Sequence, residues 1–443
     1  MKRWIALVTS IGILFPGTLG AYPLDGYEET DISRLDAYWL ARKVIMDNKI
    51  LPKGIFWKSD DIKLRLLGDS SYTLPAPDPQ LSAKIKAMLG SDWRAYGIAV
   101  LDYTDPKDPQ YAAVNPNRTQ NPASVGKVTI MLGWFQALAD IYPDDIAARG
   151  RILRETRITA DGFIQRDRHD VPFWKPGDPK VLRRPIEEGE TDNLWTYMDW
   201  MISASSSAAA AMMMKELMLL NHFGKEYPVS EEVSQKFFKD TSKRDLVKLF
   251  RRSIQRPLTE NDLDTQKFRQ GKFFTREGKR RVPSTANSIA TARELLRFVM
   301  LMEEGKLVDP WSSLEMKKVL YLTDARVRYA ASPALDDAAV YYKSGSLYGC
   351  KPEKGYECGK YLGNRINNLN SMAIVETDGN HGNLRYAVVV LSNVLKKDSS
   401  EKHQELAAKI HALIGSMHGA SADAAGTAGD LPGKPSGDAS PRP

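Results

Sequence analysis

The order of textures along the chain predicts an α+β protein of two lobes, a sheet built from both ends of the chain and a helical lobe inserted between them. Three observations carry this. β-rich runs occur at 96–114 and return at 338–391, helical spacing and long connections fill the interval, and a last helix follows the final strand. With 443 residues, 42% hydrophobic and 26% charged, the chain has material for one large core or two linked ones. That composition fits neither a disordered chain nor a multi-span membrane protein.

The elements follow in order. A helical pattern starts at Asp31 and runs through Tyr38, Leu40, Val44 and Ile45 to an end near Pro52. Pro75, Pro77 and Pro79 mark a loop, and a second helix covers about Leu81 to Leu89. Two strands, Tyr96 to Tyr103 and Tyr111 to Val114, flank the turn-rich stretch 105–109. From Asn121 to about Met302 the texture is helical, and the helix from Ser205 to Leu220 is apolar on nearly every side, as a buried helix is. Lys267 to Arg281 is basic with Phe268, Phe273 and Phe274 interleaved; it reads as a solvated loop or hairpin, or else as a surface for an anionic polymer. Strands return at Ala338 to Ser344, Ser371 to Glu376 and Tyr386 to Leu391, and a helix spans Glu401 to Ile414. The Gly, Ala, Ser, Asp and Pro of the last residues cannot bury a core.

Residues 1–21 have the form of a signal peptide. Lys2 and Arg3 precede an apolar stretch from Trp4 to Phe15, Pro16 and Gly17 break it, and Thr18, Gly20 and Ala21 are small. The stretch is short for a membrane anchor, so the expected location is periplasmic or secreted after cleavage. Net charge is +7. For an exported protein a basic balance suits an anionic envelope surface better than nucleic acid, for which no motif is present. Cys350 and Cys358 are the two cysteines. In an oxidising compartment they would close a loop as a disulfide, whereas two thiols with no flanking histidine are too few for zinc.

Three segments are able to carry chemistry. Asn121 reads as an N-cap and Pro122 as a first helical residue, with Val125, Val128, Leu132, Phe135 and Ala139 following at helical spacing. Ser124 then sits in the first turn, and Lys127, three residues on, lies on the same face within reach of its proton. A lysine serves as that base only where its surroundings lower its pKa. Ser-x-x-Lys alone says little, since Ser399 to Lys402 repeats it in an all-polar setting. Lys343-Ser344-Gly345-Ser346 ends a β-rich run, where a strand edge offers N–H groups to an oxyanion and the lysine and hydroxyl can hold a carboxylate. Ser203 to Ser207 precedes the buried helix and by itself reads as a serine-rich cap.

Taken together the three resemble the motifs of the class A β-lactamases and D,D-peptidases, the penicillin-recognising serine hydrolases. Pro122 to Lys127 is similar to the Ser-x-x-Lys motif, Ser205-Ser206-Ser207 to Ser-x-Asn, and Lys343-Ser344-Gly345 to Lys-Thr/Ser-Gly on a core strand. The likeness covers about residues 95 to 415, though Leu220 to Val282 does not align by eye. It implies an α-β-α layering, with an antiparallel sheet flanked by helices and an inserted all-helical lobe. The lobes would divide as 22–120 and 303–415 for the α/β part and 121–302 for the helical part, with a disordered tail over 416–443. It implies a monomer without metal or cofactor that acts on a β-lactam or a peptidoglycan peptide. Ser124 would be acylated, Lys127 would be its base, and Ser205 would pass a proton to the leaving nitrogen. Ser207, Lys343, Ser344 and Gly345 would bind substrate, and the N–H groups of Ser124 and Ser346 would form the oxyanion hole.

Two departures stand out. Ser207 replaces the family's Asn, and no Glu-x-x-Leu-Asn segment supplies a deacylating glutamate; Glu260 and Glu277 lie in the right interval but not in that context. The D,D-carboxypeptidase reading therefore stays beside the β-lactamase one, and so does a catalytically weak protein that binds cell-wall peptide. A Ser-His-Asp hydrolase would need His169 or His381 as partner, and the residues before Ser124 do not form the strand that its nucleophile elbow requires.

Overall fold

The computed structural model describes residues 24–43, 54, 57–68, 73–165, 167–324 and 326–419. The expected signal peptide, the stretch from Val44 to Pro52 and residues 420–443 lie outside the described residues.

The main sheet has five strands: β1 (Tyr96–Asp102), β2 (Gln110–Val114), β3 (Ala339–Gly349), β4 (Ile366–Glu376) and β5 (Arg385–Asn393). Their order is β2-β1-β5-β4-β3, and every pairing is antiparallel. The two ends of the chain thus meet at β1 and β5, where Val100 faces Val388 and Ala99 faces Val389. Both faces of the sheet are covered, so strands such as β5 are apolar without interruption. On one face Ile98, Val100, Val340, Val388 and Val390 pack with Leu406, Ile410 and Ile414 of α12 (Ser400–Met417). On the other Leu101, Tyr341, Ile374 and Val389 join the core of the helical lobe. This is the antiparallel, helix-flanked architecture that the resemblance implies. The terminal helix runs to Met417, past the position where the tail was expected to begin.

The preceding helices are α1 (Ser33–Arg42), α2 (Pro79–Met88), α3 (Val128–Ile141), α4 (Ile146–Glu155), α5 (Leu194–Ile202), α6 (Ser207–Phe223), α7 (Glu231–Asp240), α8 (Lys243–Glu260), α9 (Arg276–Arg281), α10 (Ala292–Glu303) and α11 (Pro310–Tyr321). Helix α6 is buried from Ala208 to Leu220, which is why its sequence has no polar face. It packs against α3, α5 and α8, while α10, read from sequence as the end of the helical stretch, lies on β1 and β5.

The basic stretch 267–281 departs from the solvated loop expected of it. Phe268 and Phe273 are buried, Phe268–Arg269 pairs with Ile289–Ala290, and Thr275 caps α9. Aromatic residues spaced through a charged segment were its anchors to the core, not surface decoration.

Candidate active site

Ser124 belongs to a 3₁₀ turn, Ala123–Lys127, that leads into α3. This corrects the expected α-helical first turn capped by Asn121. The Asn121 side chain instead accepts from the Ala123 N–H at 2.8 Å within the loop. A 3₁₀ turn eclipses residues i and i+3, and Lys127 Nζ accordingly lies 3.0 Å from Ser124 Oγ. Ala123, just ahead of the serine, has φ +49, and Ser205 has φ +62. Positive φ at non-glycine residues stores strain and persists only where the surroundings impose it.

The second segment closes on the first. Lys127 Nζ donates to Ser205 O at 2.5 Å and lies 3.5 Å from Ser207 Oγ. Lys343, on β3, donates to Ser205 Oγ at 2.8 Å and to Ser344 O at 2.9 Å. Residues 124, 127, 205 and 343, far apart in sequence, therefore form one connected cluster, with Ser205 bridging the two lysines. Gly345 shows how close the strand comes to the turn. A Cβ there would stand 2.4 Å from Pro122 O and 2.8 Å from the Ser124 and Val125 nitrogens. Being the last strand of the sheet, β3 leaves its outer edge to the cleft.

No protein-family model matches this chain, and no curated protein matches it. Among solved structures it is similar to PBP-A at 14% identity, over 78% of this chain and 100% of that one, with a TM-score of 0.48. It is also similar to a β-lactamase from Chitinophaga pinensis DSM 2588 (14% identity, 76% and 99% coverage, TM-score 0.45) and to the TLA-3 extended-spectrum β-lactamase (12%, 76% and 98%, 0.47). The strand order, the inserted helices and the meeting of the three motifs are features of this chain itself, and at such identities the neighbours' activities do not transfer.

Electrostatics suit proton transfer within the cluster. Lys127 is fully buried. Burial brings its pKa down to about 7, against the opposing pull of Asp167. Lys343 is pushed well below the ordinary lysine range by burial, and the Lys127 and Arg328 cations add to the effect. Phe274 lies under Lys127, with Nζ 4.8 Å from the ring centre.

A cleft of about 460 Å³ opens over the cluster. Ser124, Ser207 and Ser346 line it, as do Gln270, Lys272 and Phe274 from the basic stretch. Lys343, Ser344 and Gly345 are not in its lining; Lys343 reaches the cluster beneath it, and Ser344 lies opposite Ser371 in the sheet. Cys350 and Cys358 are joined as a disulfide, with Cα atoms 5.9 Å apart, in the connection after β3. Glu277 is engaged by Arg280 and Arg281, Glu260 pairs with Arg256, and neither lines the cleft. Among the described residues no group of three His, Cys, Asp or Glu is placed to hold a metal, and no helix is long and apolar enough to cross a membrane.

Four contributors lie outside the three motifs. Asp167 Oδ2 accepts from Ser206 Oγ at 2.9 Å and from the Ser207 and Ala208 N–H groups at 2.8 Å, so it caps the helix that carries the second motif. Burial opposes ionisation of that carboxyl, but the hydrogen bond and charge of His169, the Ala208 N–H and Lys127 hold its pKa far below the usual range. His169, read as a surface residue, also lines the cleft. The asparagines of β4 secure the loop before the serine: Asn370 accepts from Gln120 at 2.6 Å and donates to Asn121 O at 3.0 Å. Polar residues repeated at 368 and 370 inside a buried strand were the available signal. The fourth is Gln270, buried in the cleft wall beside Gly126, with Nε2 donating to Lys272 O at 2.6 Å and Oε1 left without a partner.

Proposed function

We propose that this chain is an exported serine acyl-transfer hydrolase that opens a β-lactam or a D-Ala-type amide through an ester on Ser124. The observation that carries the reading is the contact of Ser124 Oγ with a buried lysine whose pKa is about 7. Neutral Lys127 takes the serine proton as Oγ attacks the carbonyl carbon. The N–H groups of Ser124 and Ser346 receive the oxyanion, and Ser205, held by Lys343, returns a proton to the leaving nitrogen. Lys343 and Ser344, the family's carboxylate-holding positions, lie beneath the cleft at the edge of β3, and Ser207 takes the place of the family's amide-binding Asn.

One feature favours a D,D-peptidase-like, slowly deacylating enzyme over a fast β-lactamase. No Asp or Glu lines the cleft among the described residues, and the buried wall offers the neutral amide of Gln270 instead. Lys127 must then serve both half-reactions. Loss of general-base assistance costs about 10²–10⁴ in rate, so penicillin should acylate Ser124 and remain. Intact mass measured within seconds of mixing should show a single adduct, and Ser124→Ala should abolish it while the circular dichroism spectrum is unchanged. Gln270→Glu should shorten the adduct's life by at least about tenfold. Wild-type labelling of Ser124→Ala removes Ser124 from its role, and rapid cephalosporin turnover without an adduct rejects slow deacylation.

A further inference from the structure

We propose that the cleft selects an acidic acyl donor, a peptide or amide with a second carboxylate beyond the one at the edge of β3, received between Lys272 and Lys279 on one wall and Lys360 on the other. The proposal rests on the acyl-transfer reading of Ser124 and adds the substrate class to it.

The argument is one of uncompensated charge. Three other cations of the same basic stretch are neutralised, Arg280 and Arg281 by Glu277 and Lys267 by Asp264 at 3.2 Å, while Arg269 is held by the carbonyls of Thr265 and Asn287. On the other wall the neighbouring Lys396 pairs with Glu353. Lys272, Lys279 and Lys360 are the lysines that line the cleft, and no carboxylate lies within ion-pair distance of any of them among the described residues. No Asp or Glu lines the cleft among the described residues, so the three lysines have no counter-charge within it. Burial and the neighbouring Lys272 together lower the pKa of Lys279, so the pair is held in mutual repulsion that an incoming anion would relieve. Lys360 rests on Tyr361, its Nζ 5.2 Å from the ring centre, and Tyr361 meets Tyr348 edge to face at 5.6 Å. Aromatic rings at Phe274, Tyr348 and Tyr361 beside these cations suit an organic acid better than a bare inorganic anion. The buried Phe268 and Phe273 anchor the segment that carries Lys272 and Lys279, so the two cations stand on a fixed wall.

The test compares acylation of Ser124 by benzylpenicillin and by α-carboxybenzylpenicillin, which differ by one carboxylate. At low salt the dicarboxylate should react about tenfold faster, and the advantage should shrink at about 0.5 M NaCl as screening sets in. In the triple variant Lys272→Gln, Lys279→Gln, Lys360→Gln the ratio of the two rates should fall to about one. Equal rates in the unmodified protein overturn the proposal, as does an advantage that survives added salt. Should the triple variant fail to fold, the salt dependence of the unmodified protein decides alone. If neither penicillin acylates Ser124, the acyl-transfer reading itself fails and the charge preference falls with it, an outcome distinct from equal rates.

Discussion

A lysine takes a proton from serine only while it is uncharged, and the surroundings of Lys127 fix when that is so. Its stem is buried and Phe274 covers it, while Asp167 pulls the other way. Burial disfavours the ammonium and brings the pKa to about 7. The sign of the pH dependence follows. Below pH 7 Lys127 is protonated and cannot accept, so the acylation rate should fall by about tenfold per pH unit, and above pH 7 it should level off. Stopped-flow acylation by a chromogenic cephalosporin between pH 5 and 9 would show the limb. A limb near pH 10 would mean that Lys127 is not the base, or that the buried environment is not kept in solution.

At the scale of elements, the site is a junction of a turn, a helix start and a strand edge. Its tightest point is where β3 crosses the turn at Gly345. The atoms that a methyl group would strike there are backbone, which no side-chain rotation can clear. Gly345→Ala should therefore push β3 away from Ser124, and a displacement of about 1 Å is enough to cost about 10²-fold in rate. Labelling by fluorescent penicillin should drop by that factor while the far-ultraviolet spectrum is retained. Unchanged labelling would show that the edge strand can move without disturbing the nucleophile. The helix start is secured separately: Asp167 from the preceding loop meets three donors at the N-terminus of α6.

At the scale of the whole molecule, the sheet is tied to the flanking helices α10 and α11 by a buried ionic cluster. Lys317 of α11 is fully buried, with Nζ 2.6 Å from Glu303 of α10 and 2.5 Å from Glu376 at the end of β4. Arg65 adds a bond to Glu376 at 2.7 Å, and Tyr103 donates to Glu303 at 3.3 Å. Removing one member of such a group leaves charges buried without compensation, which costs about 3–5 kcal/mol. Lys317→Met should lower the stability read from urea unfolding by that amount. A loss below about 1 kcal/mol would mean that the two carboxylates find protons or solvent without strain.

Local physics accounts for the features legible in the amino-acid order. Apolar runs at Tyr96–Tyr103 and Tyr386–Leu391 had the length and β-rich composition of strands buried on both faces. Helix α6 declared its burial by lacking a polar side, and the Ser-x-x-Lys spacing placed Ser124 and Lys127 on one face whichever helical form the turn adopts. The three motifs, recognised by resemblance, named the side chains that meet. The remaining features depend on long-range contacts. That Gln270 and Lys272 line the cleft depends on how a segment without periodicity folds back, anchored by Phe268 and Phe273, and composition cannot distinguish an anchoring phenylalanine from an exposed one. That Asp167 caps α6, or that Asn370 holds the loop before Ser124, depends on contacts between residues 40 and 249 positions apart. The pKa of Lys127 was likewise beyond the sequence, because desolvation is a property of everything packed around a group, and a spacing motif fixes only its nearest neighbour.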